Sequence, residues 1–130
     1  MRDILFRGKR LDNGEWVEGD LAHCNEIGTK REMICIWYTD SNGLLCEAEV
    51  DPSTVGQYTG LTDMQDVKIF EGDIVQFGGE YGKIEYSETE AMFQVVFYGW
   101  LTDFDHLRGT VVDIEGNIHD NPELLEADHG

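Results

Sequence analysis

The chain has 130 residues, of which 41% are hydrophobic, so one packed globular domain is expected rather than a disordered chain. Its apolar residues come in short runs, and charges interrupt the N-terminal ones, so neither a membrane-spanning helix nor a signal peptide is predicted. Nine basic and 27 acidic residues give a net charge of −18, which opposes binding to nucleic acids and anionic membranes.

Turn residues separate short runs of β-branched and aromatic residues along most of the chain, which predicts a mainly β fold. Four hairpins are expected, and the first turns at Asn13-Gly14, a pair that tolerates positive φ values. Gly78-Gly79 marks the third turn in the same way. The predicted strand pairs are Ile4–Lys9 with Glu15–Leu21, Arg31–Tyr38 with Leu44–Val50, Asp73–Phe77 with Tyr81–Tyr86, and Thr110–Ile114 with Asn117–His119.

Two further elements are predicted in the C-terminal half. Phe93–Trp100 is apolar at successive positions, so it is interpreted as one strand covered on both faces, by the rest of the domain or by another subunit. Asn121-Pro122 predicts the start of a short helix, about Pro122–Ala127, with Asn121 as N-cap. The predicted core consists of Phe6, Trp16, Val17, Ile34, Ile36, Val55, Ile69, Ile74, Val75, Ile84, Val95, Phe97 and Val112.

The stretch Thr54–Val75, TVGQYTGLTDMQDVKIFEGDIV, is the least generic part of the sequence. Its closely spaced glycines permit backbone conformations that other residues avoid, and Thr62 and Asp63 can bond their own backbone in a turn. Folding demands account for these residues, and a ligand-contact loop over Gly56–Asp63 is the alternative. The candidate binding residues are Gly56, Gln57, Tyr58, Thr59, Gly60, Thr62 and Asp63.

The sequence predicts no catalytic residues, no metal site and no cofactor. Carboxylate pairs such as Glu71 with Asp73 arise by chance among 27 acidic residues. Asp20, His23 and Cys24 lie close in sequence but lack a fourth partner, which is a poor zinc pattern. The three cysteines, Cys24, Cys35 and Cys46, include no C-x-x-C motif and are interpreted as reduced thiols of a cytosolic protein. Cys35 and Cys46 lie in apolar strand-like settings, where buried thiols are expected.

Several blocks of the sequence resemble the YopX family, small proteins encoded mainly by bacteriophages and prophages. The blocks are ILFRGKRLDNGEWVEGDL (4–21), EVDPSTVGQYTGLTD (49–63), KIFEGDIV (68–75) and IEGNIHDNPELL (114–125). They cover nearly the full length in the right order. The resemblance implies a mostly β fold with a barrel-like C-terminal core and a tendency to oligomerise. EGDIV (71–75) looks like the turn that enters the first strand of a small SH3-like barrel.

This resemblance divides the chain into hairpins of residues 1–50 that pack on a barrel-like core of residues 51–125, with a tail of residues 126–130. It favours a non-catalytic phage accessory protein of the host cytoplasm that forms homo-oligomers or binds a host protein. One alternative is an acidic mimic of nucleic acid, and another is an unrecognised enzyme with a pocket near Tyr58, Thr59, Asp63 or Asp73. A third, weak nucleic-acid binding, would use a basic and aromatic face made of Arg2, Arg7, Lys9, Arg10 and Trp16.

Overall fold

The computed structural model of the protein describes residues 4–25, 27–28, 31–97, 100–103 and 112–127. It is mainly β, which confirms the predicted fold class, and one short α-helix lies near the C-terminus. The strands are β1 (Phe6–Lys9), β2 (Trp16–Asn25), β3 (Glu32–Thr39), β4 (Leu45–Glu49), β5 (Gly56–Thr62), β6 (Lys68–Phe70), β7 (Asp73–Phe77), β8 (Glu80–Ser87), β9 (Met92–Phe97), β10 (Trp100–Asp103) and β11 (Asp113–Asn117), and the helix is α1 (Glu123–Ala127).

The chain divides into two compact units, Met1–Tyr58 and Thr59–Gly130, and the boundary falls inside β5. The sequence places that boundary earlier, after residue 50. In the first unit the strands are ordered β4-β3-β2-β1, and β1 also pairs with the first residues of β5. In the second unit β6 neighbours β5, and a separate antiparallel sheet has the order β10-β9-β8-β7-β11.

The first unit confirms the first two predicted hairpins. Lys9 pairs with Trp16 across a turn that contains Gly14 at φ 73°. Thr39 pairs with Leu45 across the next, which contains Gly43 at φ 80°. Its core is a cluster of buried apolar side chains on one face of the sheet, formed by Val17, Ile36, Ala48 and Val50 with Phe6, Leu21, Ile34, Tyr38 and Val55 packed against them.

The ends of β1 and β4 are joined directly. Arg10 forms an antiparallel bridge with Val50. The Asp51 N–H donates to the Lys9 carbonyl at 2.9 Å, and the Leu11 N–H donates to the Glu49 carbonyl at 3.1 Å. The ladder then ends at Asp51-Pro52, because proline has no N–H to donate. A 3-10 helix over Pro52–Thr54 follows.

The second unit confirms the third hairpin, in which Phe77 pairs with Glu80 across Gly78 and Gly79, both with positive φ. Such a two-residue turn matches the twist of the flanking strands. The core of this unit is also apolar and consists of Ile69, Val75, Ile84, Phe93, Val95, Phe97 and Val112, with Leu61, Phe77 and Ile114 packed alongside. All the buried members except Phe93 belong to the predicted core.

The prediction of one strand over Phe93–Trp100 is wrong. β9 ends at Phe97, and Trp100 already belongs to β10, which folds back so that Trp100 pairs with Phe97. Gly99, a turn residue by type, separates the two strands in the sequence. Phe93, Val95 and Phe97 are buried in the core, whereas Gln94 and Val96 on the other face are half-buried.

The prediction of a fourth hairpin at Glu115-Gly116 is also wrong, and residues 110–111 of its first strand lie outside the described residues. β11 runs straight through this dipeptide and pairs with β7, with Ile114 opposite Val75 and Gly116 opposite Ile74. Glu115 is therefore an extra residue, a β-bulge. Gly116 does not reverse the chain; it lets the Asn121 side chain pack closely against the backbone. A Cβ on Gly116 would lie only 2.4 Å from Asn121 Oδ1.

Helix α1 lies where the Asn-Pro signal predicts it. The Leu124 N–H donates to the Asn121 carbonyl at 3.1 Å, as expected at a helix start. The Asn121 side chain accepts from the Asn117 N–H at 3.3 Å, so it ties the helix start to the end of β11. No bond joins β10 to β11 among the described residues, and the barrel-like closure of this unit stays a prediction.

Candidate functional site

The candidate residues at Gly56–Asp63 lie mostly in a strand, so the prediction of a loop there is wrong. β5 covers Gly56–Thr62, and Gly60 has the left-handed φ of 91° that its residue type permits. The strand was missed because its glycines resemble turn signals. Among the candidates, Gly56, Tyr58, Thr59 and Asp63 are buried, Gln57 and Gly60 are half-buried, and Thr62 is exposed.

Asp63 organises the turn that follows β5. Its Oδ1 accepts from the N–H groups of Gln65 and Val67, both at 2.9 Å, and its Oδ2 accepts from the Ile114 N–H at 3.3 Å. Asp66 completes the turn with a positive φ of 65°. This carboxylate therefore holds the β5–β6 connection and the start of β11 together, which is a folding role.

Thr59 and Asp73 are likewise used inside the second unit. The Thr59 hydroxyl donates to the Ile69 carbonyl at 2.8 Å and accepts from the Leu61 N–H at 3.2 Å. Asp73, 2% exposed, accepts from the Phe70 N–H at 2.8 Å across the turn before β7. These bonds support the interpretation that folding demands explain the glycine-rich stretch, and a ligand-binding role for Gly56–Asp63 stays a prediction.

The basic and aromatic residues of the first hairpin do come together. Arg7 and Lys9, two positions apart on β1, place their cationic groups 4.7 Å and 5.8 Å from the centre of the Trp16 ring. Arg10 lies on the other face, 5.9 Å from the Tyr38 ring centre, and its guanidinium pairs with Asp12 at 2.7 Å. The predicted face therefore splits in two, and Arg2 lies outside the described residues.

A cluster that sequence reasoning missed lies on the first unit. The Sγ atoms of Cys24 and Cys35 and a carboxylate oxygen of Glu47 all lie within 4.8 Å of one another. Burial, together with the charge of Glu47 and the neighbouring Cys24, raises the pKa of the Cys35 thiol to about 11. The sequence offered no signal because the β2–β3 pairing, which continues to Asn25 opposite Glu32, was not predicted.

The other residues of the weak zinc pattern do not join this cluster. His23 pairs with Ile34, and Cys24 pairs with Met33, so the two side chains point to opposite faces of the sheet. Cys46 is separate as well, with its thiol 3.6 Å from both Asp40 Oδ2 and the Leu44 carbonyl. All three cysteines are free, but only Cys35 is buried, while Cys24 and Cys46 are half-buried, which corrects the expectation for Cys46.

The β3–β4 hairpin presents large apolar side chains to solvent. Trp37 is 41% exposed, Leu44 63% and Leu45 65%. Trp37 pairs with Glu47 and Thr39 pairs with Leu45, which makes Trp37 and Leu45 diagonal neighbours on the outward face. We refer to Trp37, Leu44 and Leu45 as the hairpin patch.

Comparison with known proteins shows where this fold occurs. The chain is similar to the crystal structure of protein EF1440 from Enterococcus faecalis, with a TM-score of 0.58 and 23% sequence identity over 96% of this chain and 99% of that one. No curated protein matches the sequence. Within the described residues, no helix has the length and apolar character needed to cross a membrane.

The sequence also matches a known family along nearly its whole length. The family is described as YopX protein, and the match covers residues 5–126. That range contains all the blocks that carry the resemblance, apart from Ile4 at the start of the first block. The chain therefore belongs to the YopX family.

Proposed function

We propose that this protein is a non-catalytic accessory protein of a phage or prophage, acting in the host cytoplasm through protein–protein contacts. The resemblance on which the family was recognised implies the phage origin. The observation that carries the contact role is the hairpin patch, because large aromatic and apolar side chains anchor most of the binding energy at protein interfaces. Its first partner is a second copy of the same chain.

The position of the patch supports self-association. β4 is the last strand in its sheet order, and Leu45 lies on it. The Leu44 carbonyl and the Val50 N–H bond on the β3 side of the strand, since the Asp40 N–H donates to the Leu44 carbonyl and the Val50 N–H donates to the Ile34 carbonyl. The alternation of a strand then directs the backbone of Leu45 and Glu47 away from β3.

An outer strand of this kind is complementary to itself. Two copies of β4 related by a two-fold axis run antiparallel, so their outward backbone groups can pair while the two patches meet. Glu47 limits such pairing, because carboxylates on an edge oppose one another. Glu49 on the same strand is paired with Arg31, and its carbonyl accepts from the Leu11 N–H. The patch must therefore supply most of the attraction, and the interface should depend on Trp37.

The test is sedimentation analysis of the purified protein over a range of concentrations. The native chain should form dimers or larger assemblies, and the double variant Trp37→Ala, Leu45→Ala should weaken the assembly by about 2 kcal/mol, or about 30-fold in Kd. Met64→Ala is the matched control, since Met64 is 56% exposed in the second unit and lies outside the patch. A native chain that stays monomeric, or variants that assemble equally well, would contradict self-association.

A host partner is the second form of the same proposal. Tagged native protein and the Trp37→Ala, Leu45→Ala variant are isolated from the host after nuclease treatment, and a protein that depends on the patch is retained only by the native form. Nucleic-acid binding has one favourable observation, the stacking of Arg7 and Lys9 on Trp16. Nucleic-acid binding would instead retain material in a parallel sample without nuclease, and both nuclease and Trp16→Ala would reduce that material.

A further inference from the structure

Cys24, Cys35 and Glu47 occupy three adjacent strands, β2, β3 and β4. Ala22 pairs with Cys35, and Trp37 pairs with Glu47, so both outer residues are diagonal neighbours of Cys35. Because strand side chains alternate between faces, all three point to the same outward face. The sheet thus fixes the backbone positions of two thiols and one carboxylate around one point.

We propose that Cys24, Cys35 and Glu47 form a binding site for a thiophilic divalent cation such as Zn²⁺. Two thiolates and a carboxylate are ligands that Zn²⁺ accepts in tetrahedral sites, with solvent as the fourth. The site goes beyond the contact role proposed above and does not depend on it, since one chain supplies all three ligands.

The distances fit such an ion. With bonds of about 2.3 Å to sulfur and about 2.1 Å to oxygen, two ligand atoms of a tetrahedral zinc lie about 3.6 Å apart. Cys24 Sγ and Glu47 Oε2 are 3.6 Å apart. Every pair of ligand atoms lies within 4.8 Å, so small side-chain rotations bring the remaining sulfur to the same spacing.

Access and charge also fit. Cys35, 1% exposed, forms the floor of the site, while Cys24 is half-buried and Glu47 is exposed, so an ion can enter from solvent and keep one water. Binding replaces the two thiol protons with the metal, so both protons are released to solvent. The net charge of −18 raises the local concentration of cations around the whole chain.

The test is titration of the reduced protein with Cd²⁺ and Zn²⁺ in the presence of a non-chelating reductant. Cd²⁺ bound to thiolates gives a charge-transfer absorbance, and the expected stoichiometry is one ion per chain. Cys24→Ser should remove most of this signal, and Glu47→Gln should weaken binding by about tenfold or more. Zn²⁺ in large excess should displace the bound Cd²⁺, which binds thiolates more tightly, and should lower the absorbance.

Cys46→Ser is the matched control, because Cys46 lies outside the cluster and bonds near Asp40. It should leave stoichiometry and affinity unchanged. Cys35→Ser alters a buried position and can unfold the unit, so Cys24→Ser and Glu47→Gln decide the matter, with circular dichroism to verify their folding. No thiolate signal in the native chain, or a signal lost in Cys46→Ser but kept in Cys24→Ser, would overturn the site. Self-association is measured on the native chain without added metal, so loss of the metal site would leave the contact role standing.

Discussion

Asp63 is a heavily bonded polar side chain of the glycine-rich stretch. Its two oxygens accept from three backbone N–H groups, those of Gln65, Val67 and Ile114, while the residue itself is only 9% exposed. A buried N–H that loses its acceptor costs the free energy of its desolvation. Thr62, the exposed neighbour, carries no comparable set of bonds among the contacts described above.

We therefore expect Asp63→Ala to lower the free energy of unfolding of the second unit by about 2–3 kcal/mol. Thr62→Ala, a neighbouring candidate binding residue that is exposed, should change it by about 0.5 kcal/mol or less. Urea denaturation followed by tryptophan fluorescence gives both values. Equal losses for the two variants would show that Asp63 does not hold the turn.

How far single residues could be predicted depends on how local their partners are. The sequence predicts bonds from Asp63 to the backbone of its own turn, and two of its three bonds are of that kind. Its third bond, from the Ile114 N–H, joins residues 51 positions apart, and no local sequence pattern indicates it. The Cys24, Cys35 and Glu47 cluster was missed for the same reason, since its geometry depends on the register of three strands.

At the scale of elements, the confirmed hairpins are those with a turn signal that works locally. Gly14, Gly43, Gly78 and Gly79 all adopt positive φ values in their turns. Gly116 and Gly82 instead allow close approach of packed groups, which gives no local signature. The prediction of a hairpin at Glu115-Gly116 is wrong because it takes Gly116 for a turn residue. β8 is placed correctly because the turn before it, at Gly78 and Gly79, has a local signal.

Gly82 gives a test of that packing role. A Cβ there would lie 2.8 Å from Val95 Cγ1 and 2.9 Å from Phe97 Cε1, both buried side chains. Gly82→Ala should therefore destabilise the second unit by about 1–3 kcal/mol through overpacking. Combining it with Val95→Ala removes one clashing atom, so thermal or urea unfolding of the double variant should show a smaller loss than the sum of the single ones. Strict additivity would contradict the predicted contact.

At the scale of the whole molecule, charge is distributed unevenly along the chain. Residues 1–50 contain six basic and ten acidic residues, a net −4, whereas residues 51–130 contain three and 17, a net −14. Electrostatic repulsion between these negative charges keeps copies of the chain apart in solution.

The fold class and the family could be predicted because hydrophobic pattern and motif order run through the entire sequence. The partner could not, since it depends on which few side chains stay exposed after folding.

The competition between the hairpin patch and this charge predicts a salt dependence of self-association. Raising the salt from about 0.1 M to about 1 M shortens the Debye length from about 10 Å to about 3 Å, so repulsion between two chains of −18 each weakens. The attraction of Trp37, Leu44 and Leu45 is apolar and survives. Dimer formation measured by sedimentation should therefore strengthen with salt, by about tenfold in Kd.

Weak nucleic-acid binding through Arg7 and Lys9 would show the opposite trend, because counterion release makes phosphate contacts weaken steeply as salt rises. The Trp37→Ala, Leu45→Ala variant is the control, and it should assemble poorly at both salt concentrations. Assembly that weakens with salt would show that attraction between opposite charges, and not the hairpin patch, holds the copies together. Assembly that strengthens only in the native chain would place the interface on the outward face of the β3–β4 hairpin.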